Sequence, residues 1–256
     1  MRALIAVLLA ASAFAGRALA ADPPSCAVPD NLVFSDNDLS RVSEAVRKQH
    51  QLAITVLGTG SSTLGGPDGP SLAYPARLEV ALNQRLSKIP VKVTTRTKGG
   101  QTAESMQRSM KDLFIEDKPN LVIWQTGTVD AIRRVELDEF RTALEAGIET
   151  LQNRGADVIL MNMQYSPRTE SMIPVGPYVD EMRAMAQQRD IPLFDRFAIM
   201  RYWSDEGAFD FYAAGRDNGL AQRVHDCLGR AIGTLIIADG HLEPFVNKDF
   251  INKTSQ

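Results

Sequence analysis

The chain has 256 residues, 44% of them apolar and 23% charged, with a formal net charge of −3. Both proportions are ordinary for a globular protein. The small negative charge and the absence of a Lys/Arg cluster argue against nucleic acid or an anionic membrane surface as partner, since either needs a concentrated basic face.

The first twenty residues read as an export signal. Arg2 gives a positive start, residues 3–15 are almost unbroken apolar, and Ala18-Leu19-Ala20 has the small-x-small pattern of a cleavage site. The apolar run is too short to cross roughly 30 Å of hydrocarbon as a helix. Nothing later approaches a membrane-spanning length, so a periplasmic or secreted protein is expected after cleavage near Ala20. The rest divides into an N-terminal arm and first helix (21–50), one domain (51–240) and a C-terminal tail (241–256). That length suits a single α/β domain with a sizeable core.

Short apolar runs alternate with helical patterns from residue 53 onward. The runs at 53–57 (AITVL), 91–95 (VKVTT), 121–125 (LVIWQ), 158–161 (VILM) and 191–194 read as strands. Helices are expected at about 74–88 (with Pro75 in the first turn), 101–115, 136–153 (closed by Gly155), 177–188 and 224–238. Continuous apolar strands separated by helices imply parallel pairing buried on both faces. The expected fold is therefore a three-layer α/β/α sandwich around a doubly wound, five-stranded parallel sheet. Ligands of such sheets bind beyond the C-terminal strand ends, at the switch in strand order.

Cys26 and Cys227 are the two cysteines. In an exported chain the oxidising compartment makes a bond between them plausible, tying the N-terminal arm to the last helix. Together with three scattered histidines they lack the spacing of a zinc site.

The unusual residues fall just after the strands. Gly58-Thr59-Gly60-Ser61-Ser62-Thr63 follows the first, where glycines allow a sharp turn that holds a serine hydroxyl up. A phosphate-binding loop would need a Lys-Ser/Thr ending that is missing, and a dinucleotide loop would need glycine where Thr63 stands. Lys98-Gly99-Gly100-Gln101-Thr102 follows the second strand, and Gln125-Thr126-Gly127-Thr128-Val129-Asp130 the third. Near the end lies Gln222-Arg223-Val224-His225-Asp226-Cys227. Of the other histidines, His50 precedes the first strand, at the wrong edge of the sheet, and His241 lies in the tail.

In order and spacing these blocks resemble those of the SGNH (GDSL-like) hydrolases, a family of esterases, lipases, thioesterases and carbohydrate deacetylases. The first block resembles Thr59-Gly60-Ser61-Ser62-Thr63, which implies Ser61 as nucleophile. The second resembles Gly99-Gly100-Gln101-Thr102, which implies an oxyanion hole from the backbone N–H groups of Ser61 and Gly100. The third resembles Gly127-Thr128-Val129-Asp130, and the last resembles Gln222-Arg223-Val224-His225, which implies His225 as base. Exported bacterial members are similar also in Tyr74-Pro75-Ala76-Arg77-Leu78-Glu79 and in Gln164-Tyr165-Ser166-Pro167. The likeness runs over about residues 50–238.

Two positions depart from the family pattern. Val129 stands where the family has an asparagine that donates to the oxyanion. Losing one such donor costs on the order of 2.7–4 kcal/mol in other enzymes. Gln125, Thr128 and Gln164 are the candidate substitutes. Gln222 stands where the family has the aspartate that orients the histidine and stabilises the imidazolium. A glutamine carbonyl would accept the ring N–H without supplying charge, and Asp226 or Asp217 are the other candidates.

What the resemblance implies is hydrolysis of an ester, such as a small acyl group on a glycan or lipid, through an acyl-serine intermediate. It needs neither metal nor cofactor. Val129 and Gln222 motivate a different class, an exported protein that keeps the scaffold and binds acylated glycans or lipids without turnover. Acyl transfer to an alcohol is a third reading. The irregular segment at about 204–218 is a candidate cap, in which Phe209 or Phe211 would set chain-length preference. Oligomeric state is not legible.

Overall fold

Five parallel strands, β1 (Leu52–Gly58), β2 (Val91–Thr97), β3 (Leu121–Gln125), β4 (Asp157–Met161) and β5 (Leu193–Phe194), form one sheet in the order β2-β1-β3-β4-β5. The structure is a computed structural model that describes residues 26–212 and 218–247. The proposed leader, Asp217 and the end of the tail lie outside the described residues. Among the described residues no helix is long and apolar enough to cross a membrane.

The helices, in chain order, are α1 (Ser40–Glu44), α2 (Gly69–Leu72), α3 (Tyr74–Arg85), α4 (Ala103–Gln107), α5 (Met110–Glu116), α6 (Thr128–Arg133), α7 (Leu137–Asn153), α8 (Pro167–Met172), α9 (Gly176–Gln188), α10 (Arg196–Asp205) and α11 (Asn218–Asp239). Helix α3 packs against α11, and α4, α5 and α9 pack against α7. This is the doubly wound α/β/α sandwich expected from the alternation of elements. Strand β3 is buried at every position, and β4 at all but its first. That is why both appear in the sequence as unbroken apolar runs.

The details depart from the expected elements in four places. The helix expected at 101–115 is two helices, α4 and α5, separated at Arg108 and Ser109. Strand β5 has two residues rather than four. Helices α6, α8 and α10 occupy stretches where no element was expected. Helix α11 begins at Asn218 rather than near 224, so His225 lies well inside it.

Asp157 opens β4 and turns its carboxylate to the start of α1, where Oδ2 accepts the N–H groups of Arg41 at 2.8 Å and Val42 at 2.9 Å. Desolvation raises its pKa to about 6 despite those bonds. Cys26 and Cys227 form a disulfide with Cα atoms 5.2 Å apart. It joins the N-terminal arm to α11 across 201 residues of sequence.

Candidate active site

The strand order changes direction between β1 and β3, so the loops leaving those two strands flank the switch point. After β1 the chain makes a single 3-10 turn, Gly60–Ser62, on which Ser61 is half-buried. Strand β3 ends on Gln125, which is fully buried. The Gln125 side-chain oxygen gathers the turn: it accepts from the Thr59 N–H and hydroxyl at 3.1 Å, from Ser61 Oγ at 3.2 Å and from Ser62 Oγ at 3.0 Å. The convergence of these donors fixes the amide orientation and leaves Gln125 Nε2 without a partner among the described residues.

The loop after β2 lies beside this turn, because Lys98 N–H donates to Gly58 O at 3.2 Å. Gly100 has φ +75, a left-handed conformation that glycine adopts without a Cβ penalty. Asp130 anchors the loop from α6, accepting the Ala103 N–H on both carboxylate oxygens at 3.0 and 3.2 Å. Burial raises the pKa of Asp130, and the backbone N–H groups it accepts oppose that shift. Thr128, the first residue of α6, keeps a buried hydroxyl without a partner among the described residues, and Val129 follows it, half-buried.

His225 comes to the site on α11. Its Nδ1 accepts the backbone N–H of Tyr74 at 2.9 Å, and the two rings lie 5.8 Å apart. Tyr74 is the first residue of α3, where an N–H has no partner within its own helix, and the capping position is Ala73, which has no side-chain acceptor. His225 therefore caps α3 from another helix. Gly229, one turn further along α11 on the same face, permits that approach. A Cβ there would come within 2.7 Å of Arg77 Cβ and 2.8 Å of the Leu78 backbone nitrogen.

With Nδ1 accepting, neutral His225 carries its proton on Nε2. Desolvation first, and the positive charge of Arg196 second, lower its pKa to about 3. The ring is neutral at physiological pH, well below the value near 6.5 of an exposed histidine.

Arg196, the first residue of α10, was not among the residues singled out from sequence. It is 1% exposed. It donates to Ser61 O at 3.0 Å and to Gln164 Oε1 at 3.3 Å, and its guanidinium lies 5.7 Å from the centre of the Tyr74 ring. Its Nε has no partner among the described residues. Desolvation lowers its pKa to about 10, so it stays charged at neutral pH. Arg196, Gln164 and His225 line one cavity of about 200 Å³, walled on its apolar side by Tyr165, Met200, Phe211 and Leu220.

The expected residues thus fall into two groups. Ser61, Gln125, Gln164 and His225 are linked through Tyr74 and Arg196, with Ser62 Oγ 2.9 Å from the Tyr74 hydroxyl. No hydrogen bond joins Ser61 Oγ to His225 directly among the described residues; the serine is turned to Gln125 instead. Gln222 lies with the disulfide at a separate hollow, and Asp226 pairs with Arg230 at 2.7 Å, so neither is hydrogen-bonded to the His225 ring. Phe211 stands at the cavity wall, whereas Phe209 is buried 5.4 Å from the Trp203 ring. His50 ends the turn before β1, and His241 pairs with Asp38 at 2.8 Å. Among the described residues no three His, Cys, Asp or Glu side chains cluster as metal ligands.

This fold, with a serine turn and a helix-borne histidine at the switch point, defines an SGNH/GDSL-like hydrolase scaffold. The chain belongs to the non-GDSL lipase-like family, whose model matches residues 25–241. No curated protein sequence matches it. Among solved structures it is similar to a catalytic mutant of the acetylxylan esterase Axe2 from Geobacillus stearothermophilus (TM-score 0.57, 16% identity, 77% of this chain and 97% of that one). It is similar also to the lipase/acylhydrolase from Enterococcus faecalis (TM-score 0.54, 18% identity, 77% and 98%). At these identities the likeness is one of fold.

Proposed function

We propose that the chain is an exported ester hydrolase in which Ser61 is the nucleophile. The observation that supports this most is the position of Ser61 at the strand switch point of an SGNH-type scaffold, half-exposed on a turn braced from β3. Ser61 Oγ would attack the ester carbonyl while the N–H groups of Ser61 and Gly100 hold the developing oxyanion. The alcohol leaves, an acyl-serine remains, and water releases the acid. Substrates are small acyl esters, with O-acetyl groups on a glycan or lipid the simplest case.

The proton step carries a stated handicap. For His225 to receive the Ser61 proton on Nε2, its own proton must move to Nδ1, and the Tyr74 N–H then loses its acceptor. A buried donor left unsatisfied costs about 1–3 kcal/mol. That penalty alone slows the reaction roughly five- to 150-fold, and the missing charge of an acid behind the ring adds to it. Slow turnover is therefore expected.

The same Tyr74-to-Nδ1 bond favours a second reading, in which His225 only caps α3 and presents its Nε2–H to a ligand that is bound and not cleaved. Comparison of the purified protein with Ser61→Ala on an activated acetyl ester separates the two. A Ser61-dependent rate that stays level between pH 5 and 8 supports hydrolysis with a base of pKa about 3. Equal rates in the two proteins support binding without turnover. If the rate is Ser61-dependent, Phe211→Ala should change the preference between acetyl and longer acyl esters, measured as a ratio of kcat/KM values.

A further inference from the structure

A charged guanidinium that is 1% exposed is costly unless an anion accompanies it, and burial without one depresses the pKa instead. Arg196 has no carboxylate partner among the described residues. Its hydrogen bonds go to a backbone carbonyl and to an amide oxygen, and its guanidinium lies over the Tyr74 ring, none of which carries a negative charge. Bracing the Ser61 carbonyl needs only a neutral donor, so that duty does not explain the charge. Two of the five guanidinium N–H groups are engaged by these bonds, which leaves three, the one on Nε included.

The cavity that Arg196 lines has two chemical halves. Gln164 spends its side-chain oxygen on Arg196, which leaves the amide N–H groups as its further hydrogen-bonding capacity. His225 spends Nδ1 on Tyr74, which leaves an Nε2–H donor. The polar half is therefore rich in donors and holds one fixed positive charge. The other half is apolar, from Tyr165, Met200, Phe211 and Leu220. Its volume of about 200 Å³ corresponds to about seven water molecules.

We infer that this cavity binds a small carboxylate with an apolar tail, its carboxylate on Arg196 and its tail against Tyr165 and Phe211. A planar carboxylate matches the planar fork of the guanidinium. The apolar wall disfavours a free inorganic anion, which would have to give up its hydration there without replacement. No covalent step is involved, so this binding does not depend on hydrolysis at Ser61.

Calorimetric titration at pH 7 with hexanoate, hexanamide and inorganic phosphate tests the inference on the unaltered protein. Hexanoate is expected to bind at least tenfold more tightly than hexanamide, and phosphate not to compete. In Arg196→Gln the ratio of hexanoate to hexanamide affinity should fall to about one, while in Ser61→Ala it should stay as in the parent. Equal affinity for the acid and the amide, no binding of hexanoate, displacement by phosphate, or an unchanged ratio in Arg196→Gln would each overturn the assignment. Should Arg196→Gln fail to fold, the acid-to-amide ratio in the unaltered protein decides alone. Loss of ester turnover in Ser61→Ala with the ratio intact separates this site from the proposed hydrolysis.

Discussion

The turn that carries Ser61 and the helix that carries His225 meet across Tyr74 and Arg196, yet they are held by different kinds of interaction. The serine turn is fixed mainly from within the sheet by neutral groups, with Gln125 Oε1 accepting from Thr59, Ser61 and Ser62, and takes one bond from the charged side, Arg196 to Ser61 O. The histidine side contains buried ionisable groups: a ring kept neutral at Nδ1 by a backbone donor, and a guanidinium without a described anion. Helix α11 is in addition tied to the N-terminal arm by the disulfide at Cys227, two residues beyond His225. Neutral hydrogen bonds do not change with pH and need no counterion. Buried ionisable groups do, and the difference between the two sides should be measurable.

The largest effect is expected from the tether. Closing a loop across 201 residues is worth about 5 kcal/mol by loop-closure entropy, and removal of such bonds typically costs 2–5 kcal/mol. Cys26→Ser with Cys227→Ser should lower stability by about 3–5 kcal/mol in urea denaturation. Hydrogen exchange sharpens the comparison: amides of α11 should lose more protection than those of β1 and β3. Equal loss in both would mean that the two sides form one cooperative unit and that the contrast is only local.

Next in size is the acid response of His225. The folded ring stays neutral down to about pH 3, whereas the unfolded chain takes up the proton near pH 6.5. Between those values the unfolded state binds more protons, so this contribution is complete above pH 6.5 and is lost as pH falls. At about 1.4 kcal/mol per pH unit, the loss between pH 6.5 and 4 is at most about 3 kcal/mol. Asp157 runs the other way: its pKa of about 6 exceeds the unfolded value of 3.8, so its contribution is complete below pH 3.8 and is lost as pH rises through 6. The two slopes oppose between about pH 4 and 6. His225→Asn retains an acceptor for the Tyr74 N–H and removes the titration, so the difference in stability between parent and variant should shrink or reverse on acidification. A difference independent of pH from 4 to 7 would show that His225 is not held neutral by the fold.

The two sides also differ in how far the sequence discloses them. The sheet is readable because β3 and β4 are buried on both faces and leave unbroken apolar runs. Ser61 and the glycines around it are readable because a strand followed by a tight turn has local chemistry. Helix α10 is less so: Phe197, Ile199, Met200 and Trp203 recur at helical spacing and are buried while Arg201 and Asp205 are exposed, but a charged residue, Arg196, stands on the inward face where that pattern calls for an apolar one. Arg196 becomes remarkable only when that helix folds against the sheet end, although its place directly after a strand was a usable signal. The Tyr74–His225 bond joins a backbone donor to a side chain 151 residues away, which no local pattern encodes. Gly229, one turn from His225, was the visible trace of that close approach.

The smallest effect tests the serine side alone. Gln125→Leu keeps much of the volume but removes the acceptor shared by Thr59, Ser61 and Ser62. The Thr59 N–H, in a residue 4% exposed, is then left without its partner, at a cost of about 1–3 kcal/mol. Because neither Tyr74 nor Arg196, the ionisable groups bonded to this turn, titrates between pH 5 and 8, the loss should be the same at both by urea denaturation, unlike the His225 contribution. Gln125→Glu, protonated in so buried a place, should recover part of it, since a carboxylic acid still offers an acceptor oxygen. A loss in Gln125→Leu that grows on acidification would couple the serine turn to the charged side and remove the distinction between them.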